Sequence, residues 1–470
     1  MTLLAAFLFL LAQWQTCFPQ QRTWKRSVRH ALGTLWCLGR RTLTRIIWTN
    51  GGQNSSWGQE YLFYSRSPWD PQQLFLPLLR QALAFCPHRL VGVAVDDTRL
   101  RKTGLRIPQA AYHRDPLSPP FHVNLMRGLR FLQASLLLPL HSRQASLLLP
   151  LHSRAAWPAR GLPIRFEEVS VVKKPGKRAS PAAHQQYKKD RKLYNLSQRF
   201  VQSMQALRSA FDQVGAQLKL LVIAGDGSFC NRTVFSGLPA RVDIIARCRK
   251  DAVLCFPAEK GSRRFYGPQL FTPEQVRQDD TLAWKTTKIF YGGRRRKIRY
   301  KEVASVLWRG GAKRRLLRLF VLAPTPYRKR KSSRLYYRQP AYLLTSVLAG
   351  STRQLLQIYF DRWQIEVNHR DEKDTLGVGQ AQFWHPVSVP KQPAFAVASY
   401  SALLLASLKA FGPGRCDAYA PLPKWRRNSK RPSCLDLITL LRKEAVEHPE
   451  LLEQFNIKMT DQALHSAAAA

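Results

Sequence analysis

The sequence predicts an α/β protein: a core of strands and helices, interrupted by a β-rich insertion and preceded by a helical N-terminal domain. Three observations lead there. Two short apolar runs, "RLVGVAV" and "LKLLVIAG", stop abruptly at acids, Asp96 and Asp97 after the first and Asp226 after the second. A helical apolar stripe separates them, giving the strand and helix alternation of an α/β sheet. Beyond them, "KTTKIFYGGRRRKIRYKEV" reads as a hairpin turned by Gly292 and Gly293.

Composition bounds the function. The 470 residues can bury a sizeable core, and a hydrophobic share of 45% excludes a disordered basic tail. Lys and Arg number 75 against 29 Asp and Glu, a formal net charge of +46. So basic a chain calls for a polyanion, and nucleic acid is the natural one. The eight cysteines contain no CxxC pair, so they read as reduced thiols of a cytosolic protein, with no zinc site.

In chain order, residues 1–88 form the helical domain, with "RTWKRSVRHALGTLWCLGRRTLTR" basic enough to touch a phosphate backbone. The opening "MTLLAAFLFLLAQ" reads as a buried first helix. Cleavage as a secretory signal is the alternative; no Lys or Arg precedes the run, and it is too short to span a bilayer. Residues 89–245 hold the first part of the core. It contains the run "LRFLQASLLLPL", a charged linker or loop around "VVKKPGKRASP" and "QQYKKDRK", and a helix whose stripe runs from Leu196 to Val214. The 11-mer "QASLLLPLHSR" stands at 133–143 and again, unchanged, at 144–154. Two identical copies indicate a recent duplication, since a solenoid needs three or more drifting repeats. The extra apolar copy threatens aggregation and loss of activity.

Residues 246–345 form the insertion. From Lys285 to Arg338 it carries 19 Lys or Arg and one acid, Glu302, too lopsided for edge protection alone and suited to facing DNA. Residues 346–412 complete the core, ending in the buried-helix pattern "AFAVASYSALLLASLKAF", and 413–470 are a basic linker and terminal helix.

The stretch "IYFDRWQIEVNHRDEKDTLG" gathers five acids in this basic chain. Read as one helix from Tyr359 to Leu376, it sets Tyr359, Arg362, Glu366 and Lys373 within an arc of about 60°. Glu366 is the one acid on that face. A surface i,i+4 pair of Arg362 with Glu366 is the plain reading of that helix alone. Asp97 and Asp226 change the balance, because carboxylates at strand ends together with Glu366 make a hard-oxygen site suited to two Mg²⁺ and phosphodiester chemistry. Arg362, Lys373 and Tyr359 beside them can hold a phosphate.

These motifs, "VAVDDT", "VIAGDGSFCNRTVF" and "YFDRWQIEVNHRDEK", resemble the DDE transposases of bacterial insertion sequences. The resemblance is to the cut-and-paste group with a Y-x2-R-x3-E-x6-K signature, which Tyr359, Arg362, Glu366 and Lys373 match in spacing. It implies a ribonuclease-H-like core interrupted by the β-rich insertion, with catalytic and metal-binding acids at Asp97, Asp226 and Glu366. Asp97 is preferred because the family's acid stands directly before Thr, and Asp96 is the alternate. Tyr359, Arg362 and Lys373 would bind DNA phosphates. The resemblance further implies Mg²⁺, two ions with Mn²⁺ as substitute, and a homodimer that cuts at terminal inverted repeats, in the bacterial cytoplasm at the nucleoid and without membrane association. A hairpin route would need an aromatic to hold a flipped base; Trp284 and Trp308 lie in the insertion, with core packing as their plain role. The competing expectation is a DNA-binding derivative without catalysis, crippled by the duplication.

Overall fold

The computed structural model describes residues 1–115, 118–119, 121–122, 124–140, 157–330, 332–426 and 429–458. Five helices come first: α1 (Leu3–Ala12), α2 (Gln21–Trp36), α3 (Leu43–Thr49), α4 (Gly58–Ser65) and α5 (Phe75–Ala82). In α1, Leu3, Leu4, Phe7, Leu10 and Leu11 are fully buried. Part of the basic character of α2 is spent internally, since Glu60 of α4 takes Arg26, Arg29 and His30 at 3.1, 2.7 and 2.6 Å.

The strands follow as β1 (Leu90–Arg101), β2 (Ala111–Arg114), β3 (Leu125–Leu138) and β4 (Arg160–Glu168). Next come α6 (Pro181–Leu193) and α7 (Leu196–Gln213), then β5 (Leu220–Gly225), α8 (Arg232–Gly237) and β6 (Val242–Arg247). The segment expected as a charged linker is in part helix α6. Ser180 caps it by accepting from the Ala183 N–H, Pro181 occupies its first turn, and none of its residues is buried. The missing apolar stripe hid it, while the cap and good helix formers suffice locally. The predicted stripe of α7 buries Phe200, Val201, Met204, Leu207 and Phe211.

The region read as β-rich contains β7 (Leu254–Pro257), β8 (Tyr266–Phe271), α9 (Pro273–Gln278), β9 (Lys285–Tyr291) and β10 (Arg294–Leu307). It continues through α10 (Arg309–Ala312), β11 (Leu316–Leu322), β12 (Pro326–Tyr327), β13 (Tyr336–Tyr337) and β14 (Ala341–Thr345). The Gly-Gly hairpin forms as expected: Tyr291 pairs with Arg294, and Gly292 and Gly293 both take positive φ, 59° and 78°.

Twelve strands join one mixed sheet, ordered β2-β3-β1-β5-β6-β14-β11-β10-β7-β8, with β4 also on β3 and β9 on β10. At its centre β1, β5 and β6 run parallel, and β3 runs antiparallel to β1 and β4. The last helices are α11 (Thr352–Asp361), α12 (Trp363–Arg370), α13 (Ser388–Phe411), α14 (Cys434–Glu447) and the short α15 (Glu450–Glu453). The two sheet faces bury different layers, as the period of two requires. Val93, Val95, Leu136, Leu221 and Ile223 share a core with α1, α7, α13 and α14. Ala94, Leu137, Val222, Ala224 and Ile245 share the other with Leu355, Leu356 and Ile358 of α11 and Ile365 of α12.

Helix α13 is long and apolar enough by composition to cross a membrane, yet most of it is buried in the protein. It packs on α1, α2 and β4. The Leu4 N–H donates to the Glu444 carboxylate of α14 at 2.6 Å, tying the N-terminal helix to the C-terminal one. Phe7→Ala is expected to cost about 3–5 kcal/mol in denaturant unfolding, the range for deleting a buried Phe. A cost below 1 kcal/mol would mean that α1 is not part of the core.

Candidate functional site

β1 and β5 pair in parallel from Leu90 with Leu220 to Ala94 with Ala224. Asp96 and Asp226 each follow the last pair by two residues. Both acids therefore stand at the same height, just past the last parallel pair. Asp226 leaves the end of β5, whereas β1, expected to stop at Asp96 and Asp97, runs on to Arg101 because β3 continues to pair with it, and a ligand crevice opens where the parallel pairing ends. Asp226 starts a turn there, its carboxylate accepting from the Ser228 N–H at 2.8 Å and the Ser228 hydroxyl at 3.1 Å.

The helices over this strand end are held close. A Cβ on Gly92 of β1 would meet the Ile358 side chain of α11 at 3.0 Å, so the missing side chain is what lets the helix seat. The one continuous helix expected from Tyr359 to Leu376 is instead α11, a break at Arg362, α12, and a π-turn over Asp371–Thr375. The π-turn is pinned from below, where Gln133 of β3 donates to the buried Glu372 at 2.9 Å. One turn earlier, Asn368 donates to the Ser135 hydroxyl and the Gly161 carbonyl, both at 3.1 Å. A wide turn of this kind breaks simple wheel periodicity and recurs at functional sites.

The resulting cleft, about 1380 Å³, is bordered by Asp96, Asp97, Asp226, Glu366, His369 and Lys373. Arg362 lies between two of the acids, 3.1 Å from Glu366 and 3.9 Å from Asp96. Tyr359 is not on the cleft wall; it stands where the charges of Arg362, Arg247 and Asp226 reach its hydroxyl, whose pKa burial raises.

The two candidates for the first acid differ in their surroundings. Side chains alternate along a strand, so Gly92, Ala94 and Asp96 face α11 and α12 whereas Asp97 and Arg99 point the other way. The Asp97 carboxylate accepts from Arg130 of β3 at 2.8 Å and has Arg99 at 3.7 Å. Asp96 has Arg362 at 3.9 Å and accepts from the Asp97 N–H at 2.8 Å.

Electrostatics follow from this placement. Burial, reinforced by the charges of Asp226 and Asp97 and opposed by Arg362, pushes the Asp96 carboxyl up to about 7. Burial and Asp226 likewise raise Glu366, against Arg362. Burial lowers Lys373, and burial with the neighbouring Lys373 charge drives His369 down to about 3, which keeps its ring neutral. Among the described residues, no three His, Cys, Asp or Glu side chains stand close enough to chelate one ion.

Sequence reasoning missed His369, Arg99 and Arg130. His369 falls three residues after Glu366, so helical spacing alone could have found it. Arg130 becomes a partner of Asp97 only through the β1 and β3 register, which pairs Arg99 with Arg130.

A pH-dependent cost follows for Asp96. With a folded pKa near 7 against an ordinary 3.8, its ionised form is disfavoured by folding. The destabilisation is absent below about pH 4, grows as pH rises, and is complete above pH 7. Without divalent cations, Asp96→Asn is therefore expected to raise the melting temperature at pH 8 and to leave it near wild type at pH 4. An equal effect at both would exclude the charge as its cause.

The description "DDE superfamily endonuclease" matches residues 14–315 of this chain. The matched span contains Asp96, Asp97 and Asp226 and stops before Glu366. No curated protein matches the chain. With that family model matched over more than half of its 470 residues, and with Asp96 and Asp226 just past the last parallel pair of β1 and β5, the chain belongs to the DDE superfamily endonucleases.

Proposed function

We propose that this nuclease is the transposase of a bacterial insertion sequence, cutting DNA at terminal inverted repeats and joining the freed 3′-OH ends to target DNA. The observation that carries this is the convergence of Asp96, Asp226 and Glu366, from two strands and a helix, on one cleft of a chain with net charge +46. The central strand run β4-β3-β1-β5-β6, antiparallel and then parallel, supports a ribonuclease-H-like core, with β7 to β14 as its insertion. Asp96 takes the role of first acid in place of Asp97, because Arg130 and Arg99 already engage the Asp97 carboxylate.

The donor set suits a hard cation. It is oxygen-only, and burial together with the Asp226 charge raises both Asp96 and Glu366, a cost that bound cations relieve. Asp96, Asp226 and Glu366 would hold two Mg²⁺, or Mn²⁺, which supply Lewis-acid activation of the attacking water or 3′-OH and stabilisation of the leaving oxygen. Arg362 and Lys373 pair with the oxygens of the phosphate drawn into the cleft, and Tyr359, which stands off the cleft wall, donates to a phosphate of the flanking strand. Arg362 neutralises part of the Asp96 and Glu366 charge while the cleft holds no DNA. A homodimer acting on paired ends at the nucleoid completes the reading.

The duplicated 11-mer favours a second reading, a derivative that binds DNA without cutting it. The first copy supplies the C-terminal part of β3, Gln133 and Ser135 included, and the second, 144–154, lies outside the described residues.

Nicking of a supercoiled plasmid carrying the element's ends, with Mg²⁺, tests both. Asp226→Asn, Glu366→Gln and Asp96→Asn are each expected to lower the rate by at least about 10²-fold, the scale of losing a group that stabilises developing charge. Unchanged nicking by Asp226→Asn or Glu366→Gln would show that the site is wrong. Nicking lost in Asp97→Asn but kept in Asp96→Asn would restore Asp97 as the first acid. Activity only after deletion of residues 144–154 would establish the second reading.

A further inference from the structure

On the side of α12 away from Glu366, the segment after residue 412 folds over a separate pocket of about 240 Å³. Four arginines border it: Arg160 at the start of β4, Arg370 at the end of α12, and Arg426 and Arg431 from the C-terminal segment. The one carboxylate on its wall is Asp371, which accepts from the Tyr400 hydroxyl at 3.1 Å and has Arg370 at 3.4 Å. Asp436, just behind, is shared by Arg415 at 2.8 Å and Arg426 at 3.3 Å.

The floor of the pocket is the unusual part. Arg160 is 6% exposed, and among the described residues no carboxylate pairs with it. Arg431 beside it has only neutral partners, the Ala159 carbonyl at 3.2 Å and the Gln364 side-chain carbonyl at 3.4 Å. Two guanidinium groups thus stand next to each other, Arg160 buried and Arg431 partly so, and neither has an ion pair among the described residues, an arrangement that costs desolvation without a matching partner. Burial and the Arg160 charge, opposed by Tyr400 and Asp371, bring Arg431 down to about 9. Arg370 and Arg426, with side chains 65% and 36% exposed, stand at the mouth.

We propose that this pocket binds a phosphate-class oxyanion, gripped by Arg160 and Arg431 at its floor and by Arg370 and Arg426 at its mouth. Guanidinium forks match the oxygens of such an anion in pairs, and its charge supplies what the pocket lacks. Since Gln364, Asn368 and Arg370 of α12 form one wall, the bound anion braces the helix whose other face presents Arg362 and Glu366. The site stands whether or not the cleft cuts DNA. The oxyanion is either a free inorganic ion or a phosphate of a DNA backbone.

Thermal unfolding in EDTA, comparing inorganic phosphate with sodium chloride at matched ionic strength, tests the site. Wild type is expected to show a saturable rise of a few degrees in phosphate. Arg160→Gln is expected to melt higher than wild type in chloride, having lost an unpaired buried charge, and to lose the saturable rise. Weak phosphate binding elsewhere on so basic a surface is common to both proteins, so their difference isolates the pocket. Should Arg160→Gln fail to fold, Arg370→Gln at the exposed mouth is expected to weaken phosphate binding about tenfold, the loss of roughly one charge-assisted hydrogen bond. No response in wild type beyond that in chloride, or the same response in wild type and variant, would overturn the proposal. Adding a short DNA duplex separates the two sources. A duplex that abolishes the phosphate response identifies a backbone phosphate as the occupant, and additive responses identify a free ion.

Discussion

The docking of α11 and α12 across one face of the central strands is the constraint on which the cleft depends. Apolar contact of Leu355, Ile358 and Ile365 with Ala94, Leu137 and Val222 sets the distance, and Gly92 permits it. Polar anchors then fix the register along the helix: Asn368 to Ser135 and Gly161, and Glu372 to Gln133. Burial pushes the Glu372 carboxyl up to about 8, so it takes the Gln133 hydrogen bond without burying a full charge at neutral pH. Arg362 stands between Glu366 and Asp96 because these anchors hold the helix that carries it.

The same anchors give the duplicated segment a physical meaning. Gln133 and Ser135 belong to the first copy of the 11-mer, so the strand that pins α12 is drawn from the repeated sequence itself. The requirement at these positions is narrow, an amide and a hydroxyl two residues apart on the face toward α12, flanked by apolar residues that fill the sheet.

A shortage of acids organises the rest of the charge. With 75 Lys and Arg against 29 Asp and Glu, single carboxylates serve several cations. Glu60 serves Arg26, Arg29 and His30; Glu167 serves Arg165 and Arg199; Asp212 serves Arg208 and Arg241. Asp97 belongs with these, whereas Asp226 bonds to Ser228 and Asp96 is pushed toward its neutral form. Asp96, Asp226 and Glu366 in the cleft have no such cluster of cations. Around Arg160 and Arg431 the carboxylate on the pocket wall, Asp371, is taken up by Tyr400 and Arg370, and positive charge stands beside positive charge.

Much of this was legible in the sequence, because the relevant signals are local. β-Branched runs ending in acids announced β1 and β5, the Gly-Gly turn announced the β9 and β10 hairpin, and the Leu196 to Val214 stripe announced α7. The spacing of Arg362 and Glu366 was enough to bring them together. Helix α6 was lost because its caps, not a buried face, define it, and the π-turn after α12 because no residue pattern marks one. What the sequence by itself determined was where apolar runs begin and change period and which acids follow them; that β1 runs past Asp96 to Arg101 depends on its pairing with β3. Only the tertiary structure decided which face each acid meets: that Asp97 is claimed by Arg130, that Asp96 looks at Asp226 and Arg362, and that Arg160 and Arg431, 271 residues apart, share a floor. Strand register and helix docking fix those meetings, and they bring together side chains whose separation along the chain carries no periodic signal.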